Sequence, residues 1–303
     1  MPRPTHPLVR IVRAIFRPAH TVSAFWLRVE ICLLRIINRF TKSPVATGKP
    51  GAVVSLTTYG KRIRSVHLTI ESIARGQVLP SRLILWLDDV EVFAHLPPTL
   101  RRLEARGLEI RLSKNYGPHT KYYPFLQEQE EFAAPLVTAD DDVIYPRTWL
   151  AGLAQAHERY PNFVNCYRAR VVTIRDWKIA PYREWYLCRS TEPSLRAMAT
   201  GVSGVIYPIG LLRELKRAGT GFEMCCPKAD DLWLHVQAIR SGVSIKQIQS
   251  KALLFPHIPG TQDVALWSEN WEKGAEGNDR QSAVTYQDSD LAMLDRGSGI
   301  HAI

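Results

Sequence analysis

Residues 136–150 read LVTADDDVIYPRTWL. Leu136-Val137-Thr138 is a short apolar run with β-branched residues, the pattern of a buried strand, and it leads directly into Asp140, Asp141 and Asp142. Two carboxylates ~4 Å apart repel by about 4 kcal/mol at an effective dielectric near 20. A site that gathers several therefore calls for a cation or a shared proton. Oxygen donors without cysteine or paired histidine favour Mg2+ or Mn2+ over zinc, and such an ion can bridge a diphosphate and offset its charge as it leaves. The plainer reading is an acidic turn in which one Asp caps a helix expected over Tyr145–Tyr160.

Upstream of this loop the pattern alternates. AVVSLT (52–57) predicts a buried strand, Ile63, Val66, Ile70 and Ile73 recur at helical spacing, and LILWL (83–87) predicts a second strand ending at Asp88-Asp89. Pro97-Pro98 open a charged helix that stops near Gly107, Leu108–Leu112 is a third strand, and a further helix is expected over Thr120–Phe132. Strands alternating with helices imply a parallel or mostly parallel sheet, and in such sheets ligands gather beyond the carboxyl ends of the strands. Three strands end in polar residues there: Ser55 and Thr57, Asp88 and Asp89, and Asp140–Asp142.

Downstream, FVNCYRARV (163–171) and GVIY (204–207) predict strands, and DDLWLHVQAIR (230–240) a helix with acids at its start. Gly201 and Gly204 in TGVSG permit a close backbone approach or mark a turn. Trp177, Tyr182, Trp185 and Tyr186 crowd DWKIAPYREWY (176–186), where aromatic faces suit either sugar rings or core packing. From about Pro256 onward Gly, Asn, Asp and Ser become frequent, and residues 286–303 read as a flexible tail.

Taken together, SLTTYGKRI (55–63), LILWLDD (83–89), HTKYYPFL (119–126), TADDDVIYPRTWL (138–150), TGVSGVIYP (200–208) and PKADDLWL (227–234) form an ordered set. This set resembles a bacterial family 2-like glycosyltransferase of GT-A architecture with a DXD loop, over roughly residues 52–280. The resemblance implies a GT-A-like α/β fold, a mostly parallel sheet flanked by helices, and transfer of a sugar from a nucleotide-diphosphate donor to a hydroxyl of a glycan or lipid-linked acceptor. It implies that Asp140 contacts ribose or sugar hydroxyls, and that Asp142 binds the Mn2+ or Mg2+ with help from Asp140 and from His257 in LFPHIPGTQ (254–262). Ser55, Thr57 and Arg62 would line the nucleotide pocket, Asp88 would recognise the base, and Arg62 and Lys121 would supply cationic donors to phosphates. Asp231, with Asp230 close behind, would remove the acceptor proton as the anomeric carbon is attacked with inversion. The alternative for the pair is that Asp230 simply caps its helix.

The chain of 303 residues carries 46% hydrophobic and 22% charged residues, an ordinary globular balance with length enough for one large α/β domain. Its net charge of +10 is uneven: residues 1–47 hold Arg3, Arg10, Arg13, Arg17, Arg28, Arg35, Arg39 and Lys42 against Glu30, leaving a nearly neutral body. That argues against nucleic acid as a partner, which asks for a basic stripe on the folded body. FWLRVEICLLRIINRF (25–40) is apolar but interrupted by charge, shorter than a spanning helix needs, and without the small-residue cleavage site of a secretory signal. It fits a helix lying on an anionic membrane surface or one packed on the domain. TKSPVATGKPG (41–51) reads as a linker. The expected organisation is a basic extension (1–47), a GT-A-like domain (48–285) and a flexible tail (286–303). Five cysteines without paired spacing point to reduced thiols and a cytoplasmic setting, and the basic extension would hold the protein on the inner face of the cytoplasmic membrane. No P-loop, helix-opening GxGxxG or GxSxG is present, against ATPase, dehydrogenase and α/β-hydrolase readings. A sugar nucleotidyltransferase remains a rival, although SLTTYGKRIRS (55–65) has the cations of its loop with one glycine. A non-catalytic, membrane-peripheral glycan-binding scaffold is the other.

Overall fold

The computed structural model describes residues 17–262 and 277–296. Arg3, Arg10 and Arg13 of the basic extension and residues 297–303 of the tail lie outside them. The described residues open with α1 (Arg17–Phe40), then run through β1 (Val53–Thr57), α2 (Val66–Ala74), β2 (Arg82–Leu87), α3 (Val90–Ala94), α4 (Pro98–Glu104) and β3 (Leu108–Leu112). They continue through α5 (Tyr123–Glu128), β4 (Leu136–Thr138), α6 (Trp149–Arg159), β5 (Val164–Cys166) and β6 (Ala169–Val171). The hairpin of β7 (Ile174–Arg175) and β8 (Lys178–Ile179), then β9 (Tyr186–Leu187), β10 (Ala197–Ala199) and β11 (Val205–Tyr207) follow. The described residues end with α7 (Ile209–Ala218), α8 (Phe222–Cys225), α9 (Asp230–Arg240), β12 (Ile245–Gln247), α10 (Asn278–Thr285) and α11 (Asp288–Arg296).

Seven strands form the central sheet in the order β12-β5-β11-β4-β1-β2-β3. All pairings are parallel except those of β11, which runs against both β4 and β5. Alternate residues along each strand enter opposite layers, as the pleat requires. Val53, Ile84, Leu136 and Val205 join the layer with α5, α7 and α9, and Val54, Leu83, Val137 and Ile206 join the layer with α2, α4 and α6. Helices on both faces explain why the strands read as continuous apolar runs. The polar ends of β1, β2 and β4 meet at one edge, as expected. Because β11 is reversed, its beginning lies at that same edge, with Val205 beside Thr138 and Cys166. The loop preceding β11 and the chain leaving β5 thus arrive beside the Asp run.

Several elements differ from expectation. The helix expected over Thr120–Phe132 is a 3-10 turn at Gly117–Lys121 followed by the short α5, because Pro118 and Pro124 each start a new turn. The strand expected over 163–171 breaks at Tyr167–Arg168 into β5, in the main sheet, and β6, in a three-stranded side sheet. The helix expected from Tyr145 begins at Trp149, and Tyr145 is a buried residue stacked on Trp149 at 4.2 Å. Gly204, at φ 91°, is a packing glycine: a Cβ there would stand 2.5 Å from the Trp149 indole nitrogen. In the presumed linker Val45 is fully buried and bonds the Arg106 carbonyl at 3.0 Å. Residues 288–296 of the presumed flexible tail form α11, fixed by Leu294 in the core and by Asp290, which accepts from Arg240 at 2.8 and 3.0 Å. Composition misses α11 because one buried carboxylate and two leucines anchor it.

α1 packs on the domain through Ile31 and Leu34, which contact Leu68, Ile144 and Ile258. Among the described residues no helix is long and apolar enough to cross a membrane.

Candidate active site

The strand ends line a cavity of about 1110 Å3 whose wall includes Thr57, Arg62, Asp88, Lys121, Asp140–Asp142, Asp230, Asp231 and His257. Residues separated by up to two hundred positions meet here because each follows a strand or starts a helix at the carboxyl edge of the sheet. His257 is carried in by a short pairing: Val143 bridges to His257, and the Ile258 N–H donates to the Asp142 carbonyl at 2.7 Å.

The charge of the Asp run is met by two protein cations. The Arg62 guanidinium lies 2.8 Å from an Asp141 oxygen and 3.1 Å from an Asp142 oxygen, and also donates to the Thr261 carbonyl at 3.1 and 3.3 Å. Burial works against this charge, but Asp141 and Asp142 hold its pKa above the ordinary arginine value. Asp141, nearly enclosed, also accepts from the Thr58 hydroxyl at 2.6 Å, and burial pushes its carboxyl up to about 6 despite Arg62. It orients Arg62 from beneath. The Asp142 carboxyl would be raised by burial alone, yet His257 and Arg62 bring it below the usual value. Its oxygens meet Gln262 Nε2 at 2.7 Å and His257 Nδ1 at 3.5 Å.

Lys121 forms the second centre. Its ammonium lies 2.9 Å from Asp140 and 3.2 Å from Asp230. Burial disfavours the charge, but Asp140, Asp230 and Asp231 keep the pKa well above the ordinary lysine value. Lys121 therefore couples the Asp loop to the start of α9. Asp231 accepts from the Gly201 backbone N–H at 3.0 Å. Burial, then the neighbouring Asp230, raises its pKa to about 8, against the pull of Lys121. A Cβ at Gly201 would stand 3.3 Å from Asp231 Oδ1 and 3.4 Å from Lys121 Nζ, a tight fit against both side chains.

Not every expected residue reaches the cavity. Ser55 is fully buried; its hydroxyl donates to the Lys121 carbonyl at 2.7 Å and accepts from Trp86 Nε1 at 2.9 Å, so it supports Lys121 instead of lining a pocket. Asp89 caps α3, accepting from Glu91 and Val92 N–H groups, which leaves Asp88 to face the cavity. Neither Asp230 nor Asp231 caps α9: its N-cap is Ala229, without a side-chain bond. Of the aromatic cluster Tyr182 lines the cavity, Trp185 is core, and Trp177 and Tyr186 are exposed. Sequence reasoning missed Thr58, Gln262, Arg168 and Arg170. The alternation in Tyr167-Arg168-Ala169-Arg170-Val171 carries a usable signal for the last two, arginines on one side of a strand and apolar residues on the other.

Asp142 and His257 fit a divalent ion held jointly with a ligand, one carboxylate and one imidazole on the cavity wall. Among the described residues no group of three or more His, Cys, Asp or Glu is arranged to hold an ion. An ion there would take this pair from the protein, with phosphate oxygens and water completing the shell, as is usual for Mg2+. Both acids already face cations, Asp140 the Lys121 ammonium at 2.9 Å and Asp142 the Arg62 guanidinium at 3.1 Å, so an ion at Asp142 would share that carboxylate with Arg62.

No family model matches the chain, and no curated protein matches it. Solved structures do. The mannosyltransferase PcManGT from Pyrobaculum calidifontis, in complex with GDP-Man and Mn2+, aligns over 91% of this chain and 79% of its own at 12% identity, with a TM-score of 0.50. This chain has that GT-A-like fold. Weaker similarities reach GalNAc-T7 with UDP, GalNAc and Mn2+ (11% identity, 75% of this chain, 47% of that one, TM-score 0.47). They also reach a CMP:2-keto-3-deoxy-manno-octonic acid synthetase complexed with CTP (12% identity, 74% and 100%, TM-score 0.44). At these identities the likeness concerns the fold.

Proposed function

We propose that the protein transfers a sugar from a nucleoside-diphosphate donor to an acceptor hydroxyl, with inversion. The observation that carries this reading is one cavity with two chemical ends: Arg62, Asp142 and His257 at one, Asp231 at the other, and Lys121 between. Asp88 and Thr57, at the ends of β2 and β1, are the groups for the base and ribose, and Asp140 for sugar hydroxyls. A divalent ion bound by Asp142 and His257 would offset the charge of the diphosphate. Arg62 and Lys121 orient the acids and present fixed positive charge to the same group. At the other end, the acceptor oxygen attacks the anomeric carbon, its proton passes to an Asp231 oxygen, and the bond to the diphosphate breaks with its electron pair on the leaving oxygen. Gly201 holds the Asp231 carboxylate toward the incoming hydroxyl.

The donor half is tested by thermal shift with UDP-, GDP-, CMP- and dTDP-sugars, with and without Mn2+. A ligand at ~100 times its Kd stabilises by about 2.7 kcal/mol. One nucleotide should raise Tm in a Mn2+-dependent way, and Asp142→Asn should abolish the Mn2+-dependent part. A flat response to every nucleotide, with metal and without, removes the proposal.

We also propose that α1 rests on an anionic membrane surface, where a lipid-linked acceptor would lie. With Ile31 and Leu34 turned to the domain, Phe25, Trp26, Leu33, Ile36 and Phe40 remain exposed, flanked by exposed Arg28, Arg35 and Arg39. Each basic residue near such a surface contributes about 1 kcal/mol. The protein should float with phosphatidylcholine vesicles containing phosphatidylglycerol and not with phosphatidylcholine alone. Phe25→Ser with Trp26→Ser should weaken binding by about tenfold or more. Equal recovery of that variant and the parent chain would refute the docking face.

A further inference from the structure

Among the cavity residues to which the transfer proposed above gives no role are two arginines. Arg168 and Arg170 follow the end of β5, two positions apart across the first residue of β6, and both line the cavity. Their hydrogen bonds are to neutral groups. Arg168 donates to the Thr200 hydroxyl at 2.8 Å, and Arg170 to the Trp185 carbonyl at 2.6 Å with its guanidinium 5.1 Å from the centre of the Tyr182 ring. Among the described residues neither has a carboxylate within ion-pair distance, in contrast to Arg62, Arg82 and Arg106, which all do. Burial and the neighbouring Arg170 both lower the Arg168 pKa, so the two cations stand close enough to repel. Half-buried like charges are costly unless something negative joins them. Asp231 raises the pKa of Arg168 and of the Tyr182 phenol, which puts all four groups in one neighbourhood. These groups share the cavity wall with the proposed base.

We propose that Arg168 and Arg170 bind an anionic group, a phosphate or a carboxylate, on the acceptor sugar, so that the enzyme glycosylates a charged acceptor and discriminates against neutral ones. Two planar guanidiniums side by side match the geometry of either oxyanion. Tyr182, whose phenol burial holds in the neutral form with its pKa pushed up to about 12, lies under the Arg170 guanidinium and lines the same cavity. Thr200 and the Trp185 carbonyl fix the two forks from behind, so the site is already assembled before a ligand arrives.

This inference rests on the glycosyltransferase reading for the word acceptor, but its test is a binding measurement that needs no turnover. Methyl glucoside, methyl glucuronide and glucose 1-phosphate are titrated into the full chain by calorimetry. One of the two anionic probes should bind about tenfold or more tightly than the neutral glucoside, and which one identifies the source of the charge. Arg168→Gln with Arg170→Gln should erase that preference while leaving nucleoside diphosphate affinity unchanged. Arg168→Gln alone keeps the Arg170–Trp185 bond and should remove most of the preference if the double variant does not fold. Equal affinities, or no binding of any probe at millimolar concentration, overturn the proposal. So does a parallel loss of nucleoside diphosphate binding in the variants, which would assign the pair to the donor. Preferential anion binding in a protein that binds no nucleotide would leave this site standing and reject the donor reading.

Discussion

Asp231→Asn is expected to lower the rate of transfer by about 10²–10⁴-fold, the usual contribution of a positioned general base. Asparagine keeps an oxygen for the Gly201 N–H, which bonds Asp231 at 3.0 Å, so the loop before β11 should hold its shape. Nucleotide affinity should stay the same, because the donor groups lie beyond Lys121. The pH profile gives an independent readout. Burial raises the Asp231 carboxyl first, Asp230 adds to it, and Lys121 and the Gly201 N–H only partly oppose, leaving a pKa of about 8. Asp140 acts in the same sense as Asp230. In the ligand-free protein the group is therefore protonated below that value, and kcat/KM should rise as pH increases toward it. The residual activity of the asparagine variant should lose this limb. Stability runs the other way. The folded chain holds a proton at Asp231 that the unfolded chain has already released, so this contribution falls as pH rises from the ordinary carboxyl range to about 8. Asp230→Asn should be milder, since Asp230 acts through Lys121, 3.2 Å away. Unchanged turnover in Asp231→Asn would remove the base assignment; loss of turnover together with nucleotide binding would mean the pocket itself had collapsed.

What the sequence made legible was whatever follows from local pattern. Strand cores such as Leu83–Leu87, the start of α9 at Asp230, and the gathering of polar residues at strand ends all come from period, propensity and the parallel-sheet rule. The site was legible where charge density is conspicuous, at Asp140–Asp142 and Asp230-Asp231. It was incomplete where the partner of a charge is distant in sequence. Three adjacent carboxylates imply a cation, and the inference to a metal was the natural one; the fold supplies Arg62 and Lys121 as well, 79 and 19 residues away from the acids they bond. Ser55 illustrates the converse. A serine at a strand end can face a ligand or the chain beneath it, and which holds depends on the position of Trp86 and Lys121 in neighbouring elements. The break between β5 and β6 was hidden because both halves have strand propensity, and only their assignment to different sheets turns Arg168 and Arg170 into the cavity.

The largest effect on stability is expected far from the cavity, at Glu71. Its carboxylate on α2 is wholly buried, bonded by Arg106 at 2.6 and 3.1 Å and by the Asn38 side-chain amide at 3.0 Å. Asn38 belongs to α1, and its own carbonyl oxygen accepts from Arg102 on α4 at 2.9 and 3.1 Å. Arg106 further donates to the Ser43 carbonyl at 2.7 Å, just past the end of α1. One buried acid thus joins α1 to α2 and, through Asn38, to α4. Arg106→Met leaves that acid without its counter-charge and should cost about 3–5 kcal/mol, a large share of the 5–15 kcal/mol typical of a folded domain. Urea denaturation should show a lower midpoint with little change in slope. Replacing both members, Glu71→Leu with Arg106→Met, should recover most of the loss, because the cost lies in the stranded charge and not in the missing contact. A loss below about 1 kcal/mol in the single variant would mean that water reaches Glu71 and that the pair is not what fixes α1. The same measurement bears on the membrane surface. Phe25, Trp26 and Phe40 can meet a bilayer as a fixed face only while Asn38 and Arg106 hold the other side of α1 to the domain, so vesicle binding of Arg106→Met should weaken before the cavity end of the protein is affected.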